Sequence, residues 1–137
     1  MLSAPNSEAE MEVAISSNME DYLETIHILE QDNGHVRVKD IADRMSISRA
    51  SASGAVKTLE KQGLVSHPRY DLITLTLEGA RLAEQIYAKH LVILQFLQEV
   101  LGLDKETAEK DACRIEHNIS SSTFNRLKRF VEESVNH

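Results

Sequence analysis

The chain has 137 residues, enough to bury a real core in one or two small domains but not in two large ones. Twenty-two acidic against 15 basic residues give a net charge of −7, which on average disfavours a polyanionic partner, and one cysteine excludes an intramolecular disulfide. No apolar run approaches the roughly 18 residues of a membrane span and no signal peptide opens the chain, so a reducing cytoplasm and no membrane partner are expected. Residues 1–17, Met1 to Ser17, are small, polar and acidic without a sustained period, and read as a mobile acidic tail. From Met19 to Gln31 the apolar positions Met19, Tyr22, Leu23, Ile26, Ile28 and Leu29 predict an amphipathic helix with Asn18 as its N-cap and Asp32-Asn33-Gly34 as its end. A short helix is predicted from Val38 to Met45, a turn at Ser46-Ile47-Ser48, and a third helix from Arg49 to Gln62, capped by Ser48 and stopped by Gly63.

Two short helices around a tight polar turn match a helix-turn-helix. The second opens with Ser48, Arg49, Ala50, Ser51, Ala52, Ser53 and Gly54, small residues that let a helix sit deep in a major groove. Leu64-Val65-Ser66-His67, a turn around Pro68-Arg69-Tyr70-Asp71, and Leu72-Ile73-Thr74-Leu75-Thr76 follow as a β-hairpin, which makes the unit a winged helix-turn-helix with Arg69 and Tyr70 near the wing tip. The charge distribution agrees: residues 1–34 hold eight acids and no Lys or Arg, whereas residues 35–75 hold seven bases against four acids. A locally basic segment inside an acidic chain is what a DNA footprint needs. Ser48, Arg49, Ala50, Ser51 and Gly54 are the candidates for base edges or nearby phosphates, and Lys39, Lys57 and Arg69 are candidate DNA contacts that neutralise backbone charge.

A long helix is predicted from Leu77 to Leu101, interrupted by Gly102; another runs from about Lys105 to Asn118, and Ser120 or Ser121 caps a last one carrying Phe124, Leu127, Phe130 and Val131. The expected fold is therefore mainly α: a winged helix-turn-helix over 18–76 followed by a helical metal-binding and dimerisation domain over 77–137. This second lobe carries more apolar surface than a thin helical layer covers, so a homodimer is expected.

Its chemistry is concentrated in Asp111-Ala112-Cys113-Arg114-Ile115-Glu116-His117. Cys113, Glu116 and His117 lie at i, i+3 and i+4, one helical face with three metal-capable side chains. Asp21 and Glu24 repeat the i, i+3 spacing on the first helix, and His90 stands on the long helix between them. Six candidate ligands on three helices point to a transition-metal site that ties distant parts of the chain together. His27, His35 and His67 have no such support.

Met19-Glu20-Asp21-Tyr22-Leu23-Glu24, Leu59-Glu60-Lys61-Gln62-Gly63-Leu64-Val65, Lys89-His90 and the cysteine segment together resemble the metal-dependent regulators of the diphtheria toxin repressor and manganese transport regulator family, over about residues 18–135. The resemblance implies a homodimeric, metal-activated repressor of metal-ion homeostasis that binds palindromic double-stranded operator DNA and acts on no small-molecule substrate. Because the chain ends before a third, SH3-like domain, the short manganese-type architecture is implied. Asp21 and Glu24 match the acidic pair of the manganese branch, His90 the shared histidine, and Glu116 and His117 the shared Glu-His pair. Cys113 stands where manganese members place a bridging glutamate and iron-type members a cysteine. Leu94 and Glu109 stand where iron-type members have a carboxylate and a histidine of an ancillary site. In this hybrid donor set carboxylates and imidazole suit Mn²⁺ and Fe²⁺, while thiolate shifts preference toward Fe²⁺ or Zn²⁺; beside the resemblance, Mn²⁺ is expected with Fe²⁺ close behind, and Zn²⁺ in vitro. Two other readings remain open: a metal-independent winged-helix regulator in which Cys113 senses oxidants, and a small metallo-enzyme with Glu24 or Glu109 as base, which no nucleophile motif, phosphate loop or HExxH supports.

Overall fold

The computed structural model describes residues 15–67 and 72–135. Most of the expected tail, and the wing tip with Arg69 and Tyr70, lie outside the described residues. Helix α1 covers Ser17–Asn33, and its N-cap is Ser16 rather than Asn18: the Ser16 hydroxyl accepts from the Met19 N–H at 3.1 Å. Serine and asparagine cap about equally well, so propensity does not choose between them. Packing does, because Ile15, just before the cap, sits against the N-terminal core. The helix ends at Gly34, whose φ of +80° closes the last turn as its N–H donates to the Glu30 carbonyl at 2.9 Å.

Helices α2 (Val38–Met45) and α3 (Arg49–Lys61) form the helix-turn-helix. Ser46 takes the left-handed conformation at φ 58° between them, and the Ser48 hydroxyl accepts from the Ser51 N–H at 3.0 Å to start α3. Ala52, Ala55, Val56 and Leu59 make the buried face of α3. Strands β1 (Val65–Ser66) and β2 (Thr74–Leu75) pair antiparallel, Val65 opposite Leu75, and Val36 adds a bridge to Ile73. Among the described residues these pairs make up the ladder.

Helix α4 spans Leu77–Gln95. Thr76 joins it to the recognition helix: its hydroxyl accepts from the Gly79 N–H at 3.0 Å and donates to the Gly63 carbonyl at 2.7 Å. A Cβ on Gly79 would lie 1.8 Å from the Leu64 carbonyl oxygen, so the close approach of α4 to β1 needs glycine there. The expected single α-helix to Leu101 is corrected at its end, where Phe96–Val100 widen into a π-helical turn closed by the Leu101 N–H on the Phe96 carbonyl at 3.1 Å. The turn leaves Leu97 buried in the second core. Helix α5 (Lys105–Glu116) starts at Asp104, whose carboxylate accepts from the Thr107 N–H at 2.8 Å; helix α6 (Ser121–Val135) follows a Ser120 cap bonded to the Thr123 N–H at 3.1 Å.

Two apolar cores result. Leu23 and Ile26 of α1, Ile41 of α2, Val56 and Leu59 of α3, and Ile73 pack with Leu82, Ala83 and Ile86 of α4. Ile93 and Leu97 pack with Ala108 and Ala112 of α5, backed by Phe124 and Leu127 of α6. At roughly 1.5–3 kcal/mol per large buried apolar side chain, each core anchors its half of α4. One continuous helix therefore belongs to both lobes, and His90 falls at the seam between Ile86 and Ile93.

Candidate metal centre

Three helices deliver side chains to that seam. Helical spacing sets Asp21 and Glu24 side by side on α1, His90 projects from α4, and α5 ends in Cys113, Glu116 and its C-cap residue His117. All six sequence-identified residues come together in two overlapping groups, Asp21–Glu24–Cys113–His117 and Glu24–His90–Glu116. Within each group, one donor atom per residue lies within 4.8 Å of the others, and Glu24 belongs to both. A cavity of about 300 Å³ opens beside them, lined by Asp21, Glu24, His90, Glu109 and Cys113 and reaching Arg44 and Met45 at the end of α2.

The interior of the cluster is electrostatically unfinished. Glu116 is fully buried, yet its Oε2, the Glu24 Oε2 and the His117 Nε2 have no hydrogen-bond partner. His117 Nε2 faces Glu116 Oε2 at 3.4 Å, Glu24 Oε1 at 3.8 Å and Asp21 Oδ1 at 3.9 Å. Buried polar groups are normally satisfied, because an unpaired one costs about 1–3 kcal/mol and a charged one more. Carboxylate, imidazole and thiol donors converging with unused lone pairs fit a divalent transition metal.

Burial and the neighbouring charges raise the pKa values of the clustered groups. Burial, then the adjacent Glu116 carboxylate, pushes Glu24 up to about 8. Burial alone would lower His90, but its hydrogen bond to the Glu116 carboxylate, that group's charge and the bond to Glu109 outweigh it and raise it to about 9. Burial, then the charges of Asp21, Glu116 and Glu24, pushes the Cys113 thiol up to about 12. The thiol donates to Asp21 Oδ1 at 3.8 Å. Burial also raises Asp21, and His117 rises because its contact with Glu20 and the charges around it outweigh its burial.

Two carboxylates beside the histidines escaped the sequence reading as partners. Glu20 Oε1 accepts from His117 Nδ1 at 3.0 Å, and Glu109 Oε1 from His90 Nε2 at 2.9 Å. The available signals were weak: Glu20 directly precedes Asp21, and Glu109 lies one helical turn before Cys113. His27 stays outside both groups; its ring packs on Tyr87, which stacks on His90 at 6.2 Å between centroids.

At the other end of the lobe, Arg49, Ala50, Ser51, Gly54 and Lys57 share the exposed face of α3, with Lys39 exposed on α2. Ser48 is exposed too, but its hydroxyl is committed to the cap and to Ser51 Oγ at 3.0 Å, which limits what it can offer a base. No atom lies within 4 Å of a Cβ at Gly54, so that part of the face is open.

A winged helix-turn-helix joined through one shared helix to a buried acid–imidazole–thiol cluster defines a metal-responsive DNA-binding regulator. Residues 14–72 match the iron dependent repressor N-terminal DNA binding domain, residues 76–135 match the iron dependent repressor metal binding and dimerisation domain, and the chain belongs to this repressor family. It is 37% identical to an HTH-type transcriptional regulator of Methanocaldococcus jannaschii over 87% of this chain and 96% of that protein. It is 33% identical to the HTH-type transcriptional regulator MntR of Lysinibacillus sphaericus, covering 84% of this chain and 82% of the relative. Its fold is similar to that of the manganese regulator SloR, with a TM-score of 0.75 and 32% identity over 86% of this chain; it spans 55% of that longer protein.

Proposed function

We propose that this protein is a manganese-activated transcriptional repressor of metal-ion homeostasis, with Fe²⁺ the next candidate signal and Zn²⁺ a substitute in vitro. Asp21, Glu24, His90, Cys113, Glu116 and His117 are the residues that would hold the ion. The observation that carries this is the convergence of six donors from α1, α4 and α5 on the seam between the two cores, with three buried donor atoms left unpaired. The likeness to the manganese regulator SloR supports manganese as the first ion to test.

When bound, a divalent cation supplies the positive charge against which carboxylates and thiol can close together. The chain's own residues convert that into geometry. Asp21 and Glu24 lie on α1, the helix that packs behind the DNA-reading unit, whereas Cys113, Glu116 and His117 belong to α5 of the other lobe. Drawing the two sets together favours one orientation of α1 to α3 relative to α5. In a homodimer, that orientation sets the separation of two recognition helices, which must be about 34 Å to enter successive major grooves. Leu91 and Phe130, large apolar side chains exposed on the second lobe, are available to a homodimer contact.

In this account residues 18–76 form the DNA-reading unit and residues 77–137 the metal-binding and dimerisation unit. Lys39, Ser48, Arg49, Ala50, Ser51, Gly54, Lys57 and Arg69 serve the palindromic operator. The protein would act in the cytoplasm, as a regulator rather than an enzyme. Among the described residues no helix is long and apolar enough to cross a membrane. The oxidant-sensing alternative is disfavoured because a Cys113 thiol pushed up to about 12 stays protonated and is a poor nucleophile. Selection of a random duplex-DNA pool by metal-stripped protein, with and without Mn²⁺ and with anaerobic Fe²⁺, tests the proposal. A palindrome enriched only with metal is expected, and equal enrichment without metal would overturn it.

A further inference from the structure

We propose that Glu20 and Glu109 are positioning carboxylates that fix the two site histidines in their metal-binding tautomers, His117 offering Nε2 and His90 offering Nδ1. The inference rests on the metal reading of the cluster and adds residues that neither donor group contains. Each ring is held from outside. His117 donates Nδ1–H to Glu20 Oε1 at 3.0 Å, while its Nε2, on a side chain 7% exposed, is unpaired and aimed at Glu116, Glu24 and Asp21. A carboxylate acceptor at one ring nitrogen demands the proton there and leaves the opposite nitrogen its lone pair.

His90 is held at both nitrogens: its Nδ1 turns inward to the buried Glu116, the carboxylate an ion would draw away, and its Nε2–H donates outward to Glu109 at 2.9 Å. Both outer carboxylates sit nearer solvent than the two buried glutamates: Glu20 and Glu109 side chains are 20% and 44% exposed, against 6% for Glu24 and 0% for Glu116. Glu20 follows a different face of α1 from its neighbour Asp21, because consecutive residues are about 100° apart. It therefore reaches round the cluster rather than into it. Each clamp also crosses between helices, α1 to the end of α5 for Glu20, and α5 to α4 for Glu109. The Glu20 clamp thus spans the two lobes and orients His117 before an ion arrives.

The test uses the full chain with Mn²⁺ for affinity and Zn²⁺ as a diamagnetic probe for imidazole ¹⁵N spectra. In the Zn²⁺-loaded protein, His117 should be metal-bound at Nε2 and protonated at Nδ1, and His90 the reverse. Glu20→Ala and Glu109→Ala should each weaken Mn²⁺ binding by about 10–100-fold. Glu20→Gln and Glu109→Gln, whose amide oxygens still accept, should recover most of that loss. Metal on His117 Nδ1 would overturn the proposal, as would unchanged affinity in the alanine variants. Glutamine variants as weak as alanine would also overturn it, by making the carboxylates ligands themselves. Should an alanine variant fail to fold, the nitrogen assignment in the wild-type chain decides. Wild-type protein that binds neither ion would overturn the metal reading itself, a result distinct from these.

Discussion

Acidifying a titration of the metal-stripped protein with Mn²⁺, from about pH 8 to about pH 6, changes how many protons must leave before the six donors can bind. In the metal-free cluster Glu24 sits at about 8, His90 at about 9 and Cys113 at about 12. Ligands bind deprotonated, so near pH 7 ion uptake should release close to three protons per chain, and affinity should rise by about three powers of ten per pH unit. The sign is fixed by these upward shifts: rising pH strengthens binding and acid weakens it. Above about pH 10 Glu24 and His90 have largely lost their protons, and the slope should fall toward about one, the share of Cys113. His117, raised by Glu20 and the surrounding carboxylate charges, changes in the same direction. Cys113→Ser should lower the release near pH 7 by about one proton. Anaerobic calorimetry in two buffers of different ionisation enthalpy reads the proton count directly. Release below about one proton at pH 7, or a count unaltered in Cys113→Ser, would refute the reasoning.

Asp21→Ala and His117→Ala should each keep the helical circular dichroism of the fold but lose the rise in melting temperature that Mn²⁺ gives; for the wild type that rise reflects about 2.7 kcal/mol at a hundredfold excess over Kd. A metal-induced rise preserved in both variants would count against the assignment. Gly79→Ala should cost about 1–3 kcal/mol in urea denaturation, because its Cβ meets the Leu64 carbonyl oxygen at 1.8 Å. Gly54→Ala, in open space within α3, should instead gain up to about 1 kcal/mol, and the reverse order would contradict the packing described. Lys57→Ala should weaken operator binding at all sequences and reduce the slope of log affinity against log salt by about one per subunit, whereas an unchanged slope would remove Lys57 from the phosphate contacts.

The helix-turn-helix was legible because its signals are local: Ser48 and Gly63 bracket α3, and its buried positions recur at helical spacing. The six candidate donors were legible for the same reason, since i, i+3 and i+4 spacing places side chains on one face before any tertiary contact is known. Other features depend on information no short window holds. Asn18 and Ser16 are equivalent caps until Ile15 finds the core. The π-helical turn at Phe96–Val100 preserves an apolar pattern that reads as ordinary helix, and its extra residue per turn becomes visible only when Leu97 packs on α5. The contacts of Glu20 and Glu109 with the histidines are not legible because their partners, His117 and His90, lie 97 and 19 residues away. Ser48 was legible as both cap and base contact, but its hydroxyl is spent on the first of these roles.

Ion binding at the seam should turn on DNA binding at the far end of the lobe. Fluorescence anisotropy of a selected operator duplex, titrated with metal-stripped protein at fixed salt with and without saturating Mn²⁺, measures that coupling most directly. The account predicts affinity at least about a hundredfold higher with Mn²⁺, equivalent to about 2.7 kcal/mol of coupling. Equal affinity in the two titrations would contradict it.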